Sequence, residues 1–247
     1  MSVLIEACVD SVASALAAER GGAGRVELCD NLFDGGTTPS AGMISAVKAT
    51  VKIPVFVIIR PRGGGFVYSY DELSVMRLDI EAARMLGADG IVLGALTNDA
   101  RVDEEQLQPL LDAAKGLPVT FHRAFDLTRD RAEALETLMR LKIERVLTSG
   151  GAATAIEGSE QIAALVKRAG DQITVMAGGG VREETAREVV QRSGVREVHV
   201  RGTLIVNDTM SPSNDRVRFR KAPPARESAW EATDERRIRE LVRLVNS

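Results

Sequence analysis

Short apolar runs rich in β-branched residues recur along the chain. Each is followed by a longer segment in which apolar residues return every three or four positions. The runs are VLIEAC (3–8), RVELC (25–29), VFVIIR (55–60), GIVLGA (90–95), VTFHRA (119–124), RVLTS (145–149), ITVMAG (173–178) and EVHVRG (197–202). Between them lie segments such as SVASALAAERGGA, SYDELSVMRLDIEAARMLGA, DRAEALETLMRLKI and EETAREVVQRSGV, whose period is helical. Several of these stop at a glycine, as at Gly21, Gly87 and Gly194, just before the next run.

Strands alternating with helices predict a parallel sheet. Eight such units in 247 residues match a (β/α)8 TIM barrel. The expectation is a single domain over 1–247, with a barrel core to about residue 206. An open doubly wound sheet is the structural alternative, but no G-x-G-x-x-G follows the first strand to support it. Periodicity fails over 207–230, which holds prolines near its middle and reads as a long irregular loop. A closing amphipathic helix is expected over 231–247. Loops of this length are usually functional or oligomer-forming. Arg216, Arg218, Arg220 and Lys221 within it form either an extended basic strip or a solvated surface strand.

Charge narrows the function classes. Net charge is −3, and only 4% of residues are aromatic. Neither a nucleic-acid surface nor a base-stacking platform is predicted. Acidic Glu6 interrupts the N-terminal apolar run, and nothing approaches the roughly 18 apolar residues of a membrane span. The expectation is a cytoplasmic protein with no membrane partner, whose two cysteines stay reduced, as thiols or metal ligands.

A polar residue inside a barrel strand points inward, and near the C-terminal end it faces the mouth where sites are built. This selects Glu6, Glu27, Arg60, His122, Thr148, His199 and Arg201, with Arg62 and Asp126 just beyond their strands. The first two strands share a Glu-x-Cys ending. Paired in step about 5 Å apart, they would set Glu6 beside Glu27 and Cys8 beside Cys29, with Arg60 as the cation between the carboxylates. The bland alternatives are inert buried thiols, a structural charge network plugging the barrel, and core histidines. Glycine-rich strand ends follow in RPRGGG, SGGAA, AGGGVREET and VRGT; Gly178 and Gly179 belong to the third, which with Arg182 and Arg201 suits an anion. This mouth fits an enzyme acting on a small phosphorylated or carboxylated metabolite. Arg60, Arg62 and Arg123 would clamp the anion, and Glu6, Glu27 or His122 would exchange protons. No Ser-His-Asp pattern, Walker loop or strand-end lysine is evident.

The motifs GRVELCDN, GGTTPS, IIRPRGGGFVYS, TFHRAFD, RVLTSGG, MAGGGVR and EVH, in this order, resemble those of the copper homeostasis protein CutC family. The resemblance implies a TIM barrel, a homo-oligomer (dimer or tetramer), and a role in copper tolerance or intracellular copper handling. It places Cys8 and Cys29 as the family's thiols, able to bracket a copper(I) ion in two-coordinate fashion, since soft thiolates select that ion. Glu27, Arg60, Arg62, His122, Arg123, Asp126 and His199 fall on motif positions. VRGT after His199 and the C-terminal loop depart from the pattern.

Overall fold

A computed structural model of the chain describes residues 2–207, 209 and 229–247. Eight parallel strands close into a barrel in chain order: β1 (Leu4–Val9), β2 (Arg25–Leu28), β3 (Val55–Ile58), β4 (Gly90–Leu93), β5 (Val119–Phe121), β6 (Arg145–Thr148), β7 (Thr174–Gly178) and β8 (Glu197–Val200). Helices α1 (Val12–Gly21), α2 (Ala41–Thr50), α3 (Tyr70–Met85), α4 (Glu104–Ala114), α5 (Arg131–Arg140), α6 (Ser159–Ala169) and α7 (Ala186–Ser193) follow strands one to seven. The TIM barrel read from the alternating pattern is therefore the fold.

The eighth unit is built differently. After β8 the chain forms an antiparallel ribbon of β9 (Thr203–Asn207) and β10 (Ala229–Thr233), and only then α8 (Glu235–Val245). Residues 231–233, read from sequence as helix, are strand; Asp234 caps the helix by accepting from the Arg236 N–H. The basic strip at Arg216–Lys221 lies outside the described residues. Helix α8 buries Ile238, Leu241 and Val245 and packs between α1 and α7, closing the outer ring. That docking explains Gly21, which does more than end a helix. A Cβ there would meet Ile238 Cβ at 2.6 Å, and the left-handed turn itself falls on Gly22 at φ 92°.

Strand alternation sorts the core into two shells. Outward positions such as Ile5, Ala7, Val9, Val55, Val57, Ile59, Val198 and Val200 are buried against the helices, each large one contributing about 1.5–3 kcal/mol. Inward positions carry polar residues, which are buried nonetheless: Glu6, Arg25, Glu27, Arg60, Thr120 and His122; Thr148, expected inward, alternates with inward Arg145 and Leu147 and instead bonds Asp126. Local signals fix the helix starts. Ser69 and Glu72 form a reciprocal capping box on α3, and Ser11 and Ser40 cap α1 and α2. Among the described residues no helix is long and apolar enough to cross a membrane.

Candidate functional site

Register decides which inward side chains meet. β1 and β2 pair Glu6 with Arg25 and Cys8 with Glu27, while β1 and β8 pair Glu6 with His199. The stagger overturns the in-step arrangement expected from the Glu-x-Cys repeat. Glu6 and Glu27 do not sit side by side, and the cation on Glu6 is Arg25, not Arg60. Arg25 binds Glu6 through Nε and Glu197 at 2.5 Å, and Arg145 holds Glu197 from the other side at 2.5 Å. The faces of both arginines lie over the Phe56 ring.

Above this charged floor sits a cluster of four groups. His199 Nδ1 is 2.8 Å from Glu6 Oε1, and its Nε2 is 3.6 Å from Glu27 Oε2. The Cys8 and Cys29 sulfurs are 3.7 Å apart, and donor atoms of Cys8, Glu27 and Cys29 all lie within 4.8 Å of one another. Burial opposes ionisation of Glu6, but the hydrogen bonds and charges of His199 and Arg25 outweigh it and hold the carboxyl at about 2. Glu27 faces His199 at a longer range; burial, with the charge of Cys8 beside it, outweighs that cation and pushes it up to about 8. The thiol pair splits. The hydrogen bond from Cys29 and the nearby His199 take Cys8 well below the usual thiol range, against burial. The same bond and burial push Cys29 well above it. Burial would lower His199, but its bonds to Cys8 and Glu6 win and keep the imidazolium. Three cations, Arg25, Arg145 and His199, thus face three anions, Glu6, Glu197 and the Cys8 thiolate.

A cavity of about 620 Å³ opens over this cluster at the C-terminal end of the strands. Cys8, Glu27 and His199 line one wall, Arg60, His122 and Phe66 another, and Arg201, Glu231 and Arg237 of the eighth unit a third. Glu6 lies beneath the lining and stays ionised down to about 2, so it holds His199 rather than exchanging protons with a ligand. His122 is no base either. Burial, aided by the charge of Arg60, lowers it to about 3, and its Nδ1 accepts the Ala124 N–H at 3.2 Å. Of the three proton-exchange candidates, only Glu27 pairs cavity access with a pKa near neutrality.

The remaining candidates are placed as follows. Arg60 is 5% exposed and donates to the carbonyls of Asp34, Gly36 and Gly64 at 2.7–2.9 Å. Arg62 turns outward, pairing with Glu72 and covering Tyr68. Asp126 accepts from Thr148 and from the N–H groups of Ser149 and Gly151, fixing the SGG turn, and Arg123 joins it at 2.8 Å while still lining the cavity. Gly178 makes room: a Cβ would meet Leu147 at 2.6 Å and His199 at 2.9 Å. Gly179 adopts φ 104°, with Arg123 close by. Arg201 binds Glu231 across to the ribbon at 2.8 Å.

The profile of the CutC family matches residues 3–204. The human protein described as copper homeostasis protein cutC homolog is 47% identical over 238 residues, covering 96% of this chain and 87% of that one. The chain belongs to the CutC family. A Xylella fastidiosa protein, described only as a family protein CutC, is 43% identical over 100% of this chain and 90% of its own. The crystal structure of CutC from Streptococcus agalactiae superposes with a TM-score of 0.77 at 40% identity, covering 80% of this chain and 97% of that one. Phosphoribosylanthranilate isomerase of Pyrococcus furiosus, at 15% identity and a TM-score of 0.57, shares the fold alone.

Sequence reading missed Arg25, Arg145 and Glu197 in this CutC chain. Their signal was present: Arg25-x-Glu27 and Glu197-x-His199 each share an inward face. They start their strands, at the end of the barrel away from the mouth, where position alone does not mark a polar residue as part of a site.

Proposed function

We propose that this CutC-family protein handles copper(I) in copper homeostasis, with Cys8 and Cys29 as the thiolate ligands. The observation that carries the reading is the 3.7 Å approach of the two sulfurs beneath a cavity, with Glu27 in reach of both. Soft sulfur donors select copper(I) over harder ions. Glu27 would offer a carboxylate oxygen beside the two sulfurs.

Charge supports the same choice. The pair shares one proton, held on Cys29. A monovalent ion that displaces it leaves the net charge of the cluster unchanged. A divalent ion adds a positive charge beside His199, on a cavity whose other walls carry Arg60, Arg123, Arg201 and Arg237. The reading goes with a reducing compartment, the cytoplasm, where both thiols stay free, and with a homo-oligomer. Anaerobic titration under reducing conditions against a chromogenic copper(I) chelator is expected to show about one ion per chain and about one proton released per ion. Binding that survives in the Cys8→Ser/Cys29→Ser double variant would refute it.

A further inference from the structure

One wall of the cavity, next to the thiols, holds polar groups that nothing among the described residues satisfies. Arg60 is a buried guanidinium with no carboxylate in ion-pair contact among the described residues; its bonds go to three backbone carbonyls. Its Nε–H has no acceptor. The Tyr68 hydroxyl, near enough to feel the Arg60 charge, lacks a hydrogen bond of good geometry as well. His122 is equally buried, at 5% exposure. Its Nδ1 accepts the Ala124 N–H, so the neutral ring carries its proton on Nε2, and Nε2 is buried without a partner. A buried charge without a counter-charge and a buried donor without an acceptor are both costly. Here they lie on one wall of one cavity.

Phe66 sits against both, its ring 4.8 Å from the His122 ring and 5.1 Å from the Arg60 guanidinium carbon, and it also lines the cavity. The two N–H bonds therefore lie one aromatic ring behind the surface. That ring follows Gly63, Gly64 and Gly65 directly; the backbone there is held by Arg60 on the Gly64 carbonyl, Arg62 on the Gly65 carbonyl and the Leu96 N–H on the Phe66 carbonyl, so displacement of the ring is a rotation of the half-buried Phe66 side chain alone. Leu32 and Ile58 continue the wall with apolar surface.

We propose that this wall binds a small organic monocarboxylate, one oxygen accepting from Arg60 and the other from His122 Nε2–H, with the Phe66 ring displaced onto the ligand's apolar part. Two single donors match the two oxygens of one carboxylate. One negative charge balances one guanidinium, whereas a phosphate dianion would carry an excess and more acceptors than this wall has donors.

The test titrates the full chain with acetate, lactate and pyruvate, and in parallel with inorganic phosphate and sodium chloride at matched ionic strength. The readouts are the thermal midpoint and the ¹⁵N resonance of His122 Nε2. At least one carboxylate is expected to raise the midpoint with the logarithm of its concentration and to shift that resonance. Arg60→Gln risks unfolding, since Arg60 ties three loop carbonyls together. His122→Asn keeps an acceptor for the Ala124 N–H and removes the Nε2 donor; it is expected to weaken carboxylate binding about tenfold. No response to any carboxylate, an equal response in His122→Asn, or a stronger response to phosphate would overturn the proposal.

Discussion

His122 offers a measurement of how dry the barrel interior is. Its ring is buried, faces the Arg60 charge, and is held down to about 3 from an ordinary value of 6.5. In the unfolded chain it takes up a proton near its ordinary pKa; in the folded chain it does not until far lower pH. Stability linked to the neutral ring is therefore fully present above the unfolded value and is lost as pH falls toward the folded one. At about pH 5 the loss is roughly 1.5 pH units at 1.36 kcal/mol each, or about 2 kcal/mol relative to pH 8. His122→Asn cannot titrate and retains the capping acceptor. Urea unfolding of both proteins at the two pH values isolates the effect: wild type is expected to lose about 2 kcal/mol more than the variant. Equal losses would mean that the ring is protonated in the fold. The assignment of Nδ1 as acceptor of the Ala124 N–H would fall with that result, whereas the Nε2–H donor would remain.

Four further outcomes test the rest. Arg25→Met leaves Glu6 and Glu197 short of a cation in the barrel floor and is expected to cost about 3–5 kcal/mol in chemical unfolding, whereas loss of the outward-facing Arg62 should change little. Glu27, raised to about 8, favours the fold fully below the ordinary carboxylate pKa and less as pH rises through about 8; Glu27→Gln should flatten that decline, a difference on the order of 3 kcal/mol by pH 7 to 8 in paired unfolding curves. Cys29→Ala removes the bond that lowers Cys8, so the pH at which Cys8 is half-alkylated by iodoacetamide should rise; an unchanged midpoint would assign the lowering to His199 and Arg201 instead. Gly94→Ala would set a Cβ 2.6 Å from the His122 ring and is expected to destabilise by about 1–3 kcal/mol.

The fold was legible because period-two runs and period-three-to-four segments report local burial, and burial is what each element of a barrel shares. The site was legible only as an inventory. That Glu6, Cys8, Glu27, Cys29 and His199 face inward follows from alternation within each strand. Which of them touch depends on the stagger between strands, a property of barrel closure that no single segment encodes. One pleat of stagger puts Glu27 opposite Cys8 and gives Glu6 to Arg25 and His199. Arg60 shows a second limit. Its partners are carbonyls of two loops, and a carbonyl carries no residue type to read. The ribbon shows a third, because a short strand is hard to read when its pairing partner lies more than twenty residues further along the chain.

The cavity draws its lining from both ends of the polypeptide. Cys8 and Glu27 come from the first two strands, and Thr203, Glu231, Arg237 and Leu241 come from the ribbon and α8. A ligand that reaches from Cys8 and Glu27 to Glu231 and Arg237 would touch the first strands of the barrel and its closing unit at once, and would work as a clasp on the seam where the ring of helices shuts. Occupancy can therefore be followed from outside the cavity, as slower proteolytic release of the C-terminal helix when the clasp is closed.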